Sequence, residues 1–261
     1  MSRILFLAWQ DPVGRRWYAI GRLSSERGKY KFAYTGGVLG ALETGRFDAI
    51  PSFPDVHTVY EADELFPLFS NRVLSQSRPE YREMLHWLSV PETEYDPVAI
   101  LARTGGRRAT DSFEVFPCPE LVDGDVYQLH FLVHGLSHMP PEAVARSERL
   151  KPGERLLVMR DIQNPQDKLA LLLRTAEQYS GDMHLVGYCP RYLREDFLTL
   201  IDEGSSPVVS VVRVNPSPAP VQFRVLCRVE MRWPKGFEPF AGYDYQPLVG
   251  STSLQEIHQH G

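Results

Sequence analysis

Two apolar segments separated by a polar Asn-Pro turn constrain the fold of this chain most strongly. Leu156–Met159 is an unbroken apolar run, which is the pattern of a buried strand. Asn164-Pro165 then interrupts any helix and marks a turn, in which Asp167 can accept backbone N–H groups. A second apolar run, Leu169–Leu173, follows. The block therefore predicts two strands joined by a polar loop.

The next segments extend the same unit. Met183–Tyr188 predicts a third strand, and the segment from Arg191 to Asp202 has apolar residues at helical spacing. The apolar face of this helix consists of Leu193, Phe197, Leu200 and Ile201. Gly204 follows the last turn, where a helix typically ends.

These motifs occur together in one known domain family. The ordered combination of Asn164-Pro165-x-Asp167, Gly187-Tyr188-x-Pro190-Arg191 and Ile201-Asp202-x-Gly204 resembles the HIRAN domain, over about residues 125 to 233. That family is a small, mainly β module found alone in bacteria and fused to helicase-like remodellers. Its best-understood members bind the 3′ end of single-stranded DNA, so the resemblance implies DNA recognition.

The resemblance also implies a site. In HIRAN domains that hold a strand end, a segment after the first strand stacks on bases, and the Asn-Pro-x-Asp loop caps the terminal sugar. The DNA-binding residues that we predict for this site are His138, Asn164, Gln166, Asp167 and Tyr188, with Arg160, Lys168 and Arg191 as local cations. DNA-binding members have an Arg-Tyr pair where this chain has Ser137 and His138, and often an aromatic residue at Gln166.

The same residues have structural interpretations, which stay open at this point. Asn164 and Asp167 have side chains that commonly bind loop amides and so form turns without any ligand. Arg160, Lys168 and Arg191 are of a type usually found as solvated surface charges.

The first half of the chain carries a different pattern. Its predicted strands are Ile4–Ala8, Arg16–Leu23, Tyr30–Tyr34 and Phe113–Phe116, and its predicted helices are Ala62–Ser75, Pro79–Ser89 and Asp96–Thr104. The order Gly21-Arg22-Leu23, Glu64–Asn71 and Asp96-Pro97 resembles the N-terminal subdomain of HipA-type toxin kinases. That subdomain is non-catalytic and packs against a kinase body. The motifs of the kinase core do not follow it in this chain.

The fold class that we predict is therefore α+β, with mainly antiparallel sheets. We expect a HipA-N-like α/β unit at residues 1–120, a mainly-β HIRAN-like barrel with one or two helices at residues 125–240, and a C-terminal tail at residues 241–261. Prolines 117 and 119 and Gly124 mark the boundary. A length of 261 residues suits two domains of ordinary size.

Catalytic patterns are scarce. His130, His134 and His138 are spaced four apart, which on a helix would permit a metal site. The β-branched and aromatic composition of Val126–Val133 favours a strand instead, so we predict no metal site and no cofactor. The sequence contains no Gly-x-Ser-x-Gly nucleophile motif. We therefore expect a protein that is not an enzyme.

Charge and cysteine content narrow the partners and the compartment. The net charge of −5 argues against broad electrostatic binding of duplex phosphates, whereas a site for one strand end needs only a few local cations. The three cysteines are widely spaced, which favours neither a disulfide framework nor a zinc site and indicates the cytoplasm. No apolar run approaches the length of a membrane span.

Two functions remain open. The leading one is non-catalytic recognition of single-stranded DNA, most specifically a 3′ end, with the first domain recruiting a protein partner such as a helicase or nuclease. The aromatic residues considered as partner anchors are Trp9, Trp17, Phe66, Phe69 and Trp87. The alternative is an antitoxin-like or regulatory subunit of a HipA-type kinase system that does not bind DNA.

Overall fold

A computed structural model describes residues 3–92, 96–122, 125–165, 167–176 and 181–249. It confirms a mixed α and β fold, with two antiparallel sheets and short helices. The strands are β1 (Arg3–Gln10), β2 (Trp17–Glu26), β3 (Lys29–Tyr34), β4 (Tyr60–Ala62), β5 (Phe113–Pro117), β6 (Glu120–Val122), β7 (Val126–Leu132), β8 (Arg155–Arg160), β9 (Leu171–Thr175), β10 (Leu185–Tyr188), β11 (Val208–Val214) and β12 (Val225–Arg232). The α-helices are α1 (Gly37–Glu43), α2 (Pro67–Ser70), α3 (Tyr81–Trp87), α4 (Pro97–Thr104), α5 (Pro141–Ser147) and α6 (Arg194–Asp202). Short 3₁₀ helices are Leu136–His138, Arg191–Leu193, Val221–Phe223 and Tyr243–Tyr245.

Contacts divide the chain into two compact units, and neither is continuous in sequence. Unit 1 contains the described residues of 1–73, 104–118 and 240–261, and unit 2 contains those of 74–103 and 119–239. The domain bounds predicted from the sequence place residues 74–103 with the first half instead. Those bounds stay a prediction, because a grouping by contacts does not test which segments fold alone.

Unit 1 is built on a five-stranded sheet in the order β4-β3-β2-β1-β5. Its core is aromatic, and the rings of Phe32 and Phe53 stack with centroids 4.1 Å apart. Trp9 and Phe69 are buried in this core, so the proposal that they anchor a partner is wrong for these two residues. Phe240, close to the predicted tail, packs edge-on against Phe6 with centroids 5.0 Å apart.

One predicted helix of this unit is wrong. The sequence pattern predicts a helix at Ala62–Ser75, but only α2 is helical there, and β4 ends at Ala62. Pro67 occupies the first helical position of α2. Proline is favoured at that position and excluded from the interior, because it has no N–H to donate. The helix therefore begins at Pro67 and cannot extend upstream through it.

Unit 2 is built on a seven-stranded antiparallel sheet in the order β10-β9-β8-β11-β12-β7-β6. The three predicted strands are confirmed as β8, β9 and β10, and the predicted helix is confirmed as α6 with a 3₁₀ turn before it. The inward side chains of this sheet form one core with the apolar face of α6. Among the described helices, none is both long enough and apolar enough to cross a membrane.

Two strands that are distant in the sheet order are joined by a β-bridge. His134 follows β7 and exchanges backbone hydrogen bonds of 2.9 and 2.8 Å with Tyr188 at the end of β10. Gly187 makes the approach possible, because its φ is +141° and a Cβ there would lie 2.5 Å from a methyl of Val133. A closed barrel stays a prediction.

Helix α3 is held to the end of β11 within unit 2. Asn215 donates from Nδ2 to the carbonyl of Trp87 at 3.0 Å. Arg213 donates from Nε to the hydroxyl of Ser89 at 2.8 Å. These bonds explain why the segment carrying α3 groups with the seven-stranded sheet.

Candidate functional site

The loop between β8 and β9 is shaped by its own polar side chains. Asn164 accepts the N–H of Asp167 on Oδ1, and Asp167 accepts the N–H of Leu169 on Oδ1, each at 3.1 Å. The N–H of Asp161 donates to the carbonyl of Ala170 at 2.9 Å and closes the loop. Asn164 and Asp167 therefore have the turn-forming role that their residue types predict.

The other carboxylate oxygen of Asp167 binds two arginines. Arg194 donates to Oδ2 from Nη1 at 2.7 Å, and Nε of Arg191 lies 3.1 Å from the same oxygen. The side chain of Asp167 is 10% exposed, whereas those of Arg191 and Arg194 are 36% and 26% exposed. We call Arg191 and Arg194 the arginine pair. The carboxylate therefore holds two partly exposed guanidinium groups side by side.

Tyr188 connects this loop to the segment after β7. Its hydroxyl donates to Oδ2 of Asp161 at 2.8 Å. Burial, and then the Asp161 carboxylate, raise the pKa of Tyr188, so the phenol keeps its proton. The ring packs against Gly135, where an added Cβ would lie 3.1 Å from Cδ2 of Tyr188. Gly135 precedes the 3₁₀ helix whose last residue is the exposed His138.

The structure brings together several of the residues that the resemblance predicted. Asn164, Asp167, Tyr188 and Arg191 are connected through the hydrogen bonds and ion pairs of this loop, with Asp161 between Asn164 and Tyr188.

The other residues predicted for the site are not part of this network of bonds. Lys168 is exposed on the loop, and the described residues include no ion-pair partner for it. Arg160 pairs at 3.0 Å with Asp202 of α6, and both side chains are more than half exposed. Gln166 lies outside the described residues.

Sequence reasoning missed two residues that organise the site. Asp161 receives the hydroxyl of Tyr188, and Arg194 makes the shorter of the two bonds to Asp167. A local signal existed for both. Asp161 precedes Asn164 by three residues within one turn, and Arg194 follows Arg191 by three residues, which is about one helical turn.

The three regularly spaced histidines do not share one helix face. His130 lies in β7, His134 forms the β-bridge, and His138 ends a 3₁₀ helix. The strand predicted for this region is confirmed. In the part of the chain that the structure describes, no three His, Cys, Asp or Glu residues form a group able to hold a metal ion.

Comparisons with known proteins identify a domain family for part of the chain. The family model of the HIRAN domain matches residues 126–233. One solved structure that matches is a structural genomics target from Lactobacillus plantarum, with 19% identity, a TM-score of 0.31, and coverage of 42% of this chain and 93% of that chain. Another is the HIRAN domain of human HLTF, with 17% identity, a TM-score of 0.31, and coverage of 43% and 84%. No curated protein matches the chain. The likeness of residues 1–120 to HipA-type kinases stays a prediction. The chain thus contains a HIRAN domain, which occupies residues 126–233.

Proposed function

We propose that the HIRAN domain of this chain binds single-stranded DNA at a strand end, through the β8–β9 loop, the arginine pair and Tyr188. The observation that carries this proposal is the contact of Asp167 with both arginines. Guanidinium groups recognise phosphate oxygens through paired N–H donors. Two of them already held in place lose less conformational entropy when they bind, which favours affinity.

Side chains around the arginine pair supply the other contacts. Lys168 is exposed on the same loop and provides a further cation for a phosphate. His138 is exposed beyond Gly135, and its ring can stack on a base, as can that of Tyr188. Stacking on an aromatic ring contributes roughly 1–3 kcal/mol per base. A compact site of this kind suits a chain whose net charge is −5.

Asp167 also retains capacity to recognise the end itself. A carboxylate offers about four acceptor positions. The N–H of Leu169 and the arginine pair occupy three of them. We assign the remaining position to the terminal 3′ hydroxyl, a donor that an internal nucleotide lacks. A blocked end would leave this largely buried acceptor without its donor, which weakens binding.

A binding panel on the full chain tests the proposal. The panel compares one single-stranded sequence with a free 3′ hydroxyl, the same sequence with a 3′ phosphate, and a blunt duplex. We expect the free end to bind most tightly, and Asp167→Ala to remove that preference. Equal binding of free and 3′-phosphorylated strands would refute end capture. Absence of any DNA binding at low salt would refute the DNA proposal and favour the regulatory-subunit alternative.

Recruitment of a protein partner by the first half of the chain stays a prediction. Of the aromatic residues considered, Trp17 and Phe66 are partly exposed in unit 1. A HipA-type kinase, a helicase or a nuclease is the kind of partner expected. Purification from the native host without any stoichiometric partner would contradict this prediction.

A further inference from the structure

We propose that the outer face of β8 and β9 binds the part of the DNA strand that continues beyond the bound end. The outer face is the side of these strands that carries Arg155, Leu157 and Met159 of β8 and Leu172 and Arg174 of β9. This inference rests on the proposed function, because it extends the site described above.

The register of the strands defines this face. Leu157 lies opposite Arg174, and Met159 lies opposite Leu172, so these four side chains point to the same side of the sheet. The residues that alternate with them, Leu156 on β8 and Leu171 and Leu173 on β9, point the other way, into the core. The outer face therefore lies opposite the face that packs the core, and on it Leu157 and Met159 are exposed whereas Leu172 is only 8% exposed.

The outer face and its adjoining loop expose four large apolar side chains. Leu157 and Met159 are 41% and 40% exposed, and the loop adds Ile162 at 76% and Leu169 at 45%. Single exposed apolar residues are normal on a protein surface, whereas a contiguous group marks an interaction site. These four residues fall within one strand and the loop that follows it.

Along β8 and β9 the charges that flank this apolar strip are positive, and the acidic side chain at its loop end, Asp161, already accepts the hydroxyl of Tyr188. Arg155 extends the outer face along β8, and Arg174 lies opposite Leu157. Neither arginine has an acidic partner among the described residues, and Arg174 donates to the carbonyl of Thr175 at 3.2 Å. Lys168 lies at the loop end of the strip. The occupant is thus an anion with apolar surface, as a single strand is with its phosphates and base faces.

The outer face is continuous with the proposed end site, and this favours DNA over an acidic protein. Tyr188 of β10 pairs with Leu172, so its ring belongs to the same face, next to Met159. The hydroxyl of Tyr188 then reaches Asp161, the β8-side residue of the loop. From Asp161 to Arg155 the β8 backbone extends over about 20 Å, at about 3.3 Å per residue. A DNA strand bound by its 3′ end would cross this distance before it left the domain.

Oligothymidines of increasing length, each with a free 3′ hydroxyl, test this inference on the full chain. We expect affinity to increase with length, and the longest strand to have the steepest salt dependence. The double variant Arg155→Ala/Arg174→Ala should reduce the slope of log affinity against log salt by about 1.4 for the longest strand, at about 0.7 per phosphate contact. It should leave a dinucleotide unaffected. The matched control is Arg232→Ala/Lys235→Ala, which removes two exposed cations elsewhere in unit 2.

A second variant tests the apolar strip. Leu157→Ser/Met159→Ser should weaken the longest strand severalfold at unchanged salt slope, with a melting temperature near that of the wild type.

Each other outcome refutes either the outer-face inference or the proposed function. Affinity that does not depend on length, or an equal loss for long and short strands in the arginine variant, refutes the outer face and leaves the end site standing. Loss of a co-purifying protein from the serine variant, with unchanged DNA binding, identifies the face as a protein surface. Failure of all strands to bind refutes the proposed function, and this inference with it.

Discussion

Arg194 donates from Nη1 to Oδ2 of Asp167 across 2.7 Å, and this bond connects the β8–β9 loop to the first turn of α6. The carboxylate is largely buried, so its removal leaves two guanidinium groups without their shared partner. We expect Asp167→Ala to lower the free energy of unfolding by about 1–2 kcal/mol, as measured by urea denaturation. The control is Asp202→Ala, which removes the exposed partner of Arg160 and should cost less than about 1 kcal/mol. Equal losses in the two variants would contradict a structural role for Asp167.

Lys168 should act on DNA through its charge alone. We expect Lys168→Ala to weaken free and blocked strands by the same factor and to reduce the salt slope by about 0.7, because one phosphate contact is lost. The wild-type slope for a strand that fills only the end site should correspond to about two or three phosphates. Fluorescence anisotropy over a salt series measures both. Lys235→Ala is the control, and a selective loss for one type of end would show that Lys168 reads the end.

Gly187 should tolerate no side chain. Its φ is +141°, and a Cβ would lie 2.5 Å from Val133 Cγ1 and 2.6 Å from the carbonyl oxygen of His134. That oxygen accepts the hydrogen bond of the bridge to Tyr188 and cannot move without breaking it. We expect Gly187→Ala to destabilise by about 3 kcal/mol. Gly204→Ala is the control, because φ there is +86° but an added Cβ would meet open space. We expect it to lower the free energy of unfolding by only about 1 kcal/mol. Similar melting temperatures would contradict the steric argument.

His130 should make stability depend on pH. Burial, followed by the charges of Arg103 and Arg228, lowers the pKa of His130 to about 4. The unfolded chain has a histidine pKa of about 6.5, so between these values only the unfolded state binds the proton. Stability therefore falls as pH decreases from about 6.5 towards about 4. Between pH 7 and pH 5 the urea midpoint should decrease less for His130→Gln than for the wild type. An identical decrease in both proteins would exclude His130 as the cause.

The two possible domain boundaries differ in the fate of residues 74–103. These residues group with the seven-stranded sheet, and Leu88 and Leu101 among them are fully buried. We expect a fragment of residues 74–240 to be more stable than one of residues 125–240, because the shorter fragment loses the bonds from Asn215 to Trp87 and from Arg213 to Ser89. Thermal unfolding followed by circular dichroism compares them. Equal stability would support the boundary predicted from the sequence.

Local sequence patterns were sufficient to predict the strands, the turn and the helix that surround the site. The apolar runs of β8 and β9, the Asn-Pro turn between them and the helical spacing of α6 each depend on residues close together in the chain. The same motifs identified the HIRAN domain, which the family model confirms at residues 126–233. The helix predicted at Ala62–Ser75 failed because Pro67 begins a helix better than it continues one.

The pairing of charges was decided only by the tertiary structure. Asp167 is separated by 27 residues from Arg194, as Asp161 is from Tyr188, and nothing local selects these partners. They meet because β9 pairs with both β8 and β10, which brings the loop after β8 to the turn after β10. The sequence by itself determined which elements form and which domain family they belong to. Antiparallel pairing decided which carboxylate holds the arginine pair and which apolar side chains remain exposed, because those depend on strand register rather than on neighbours in the chain.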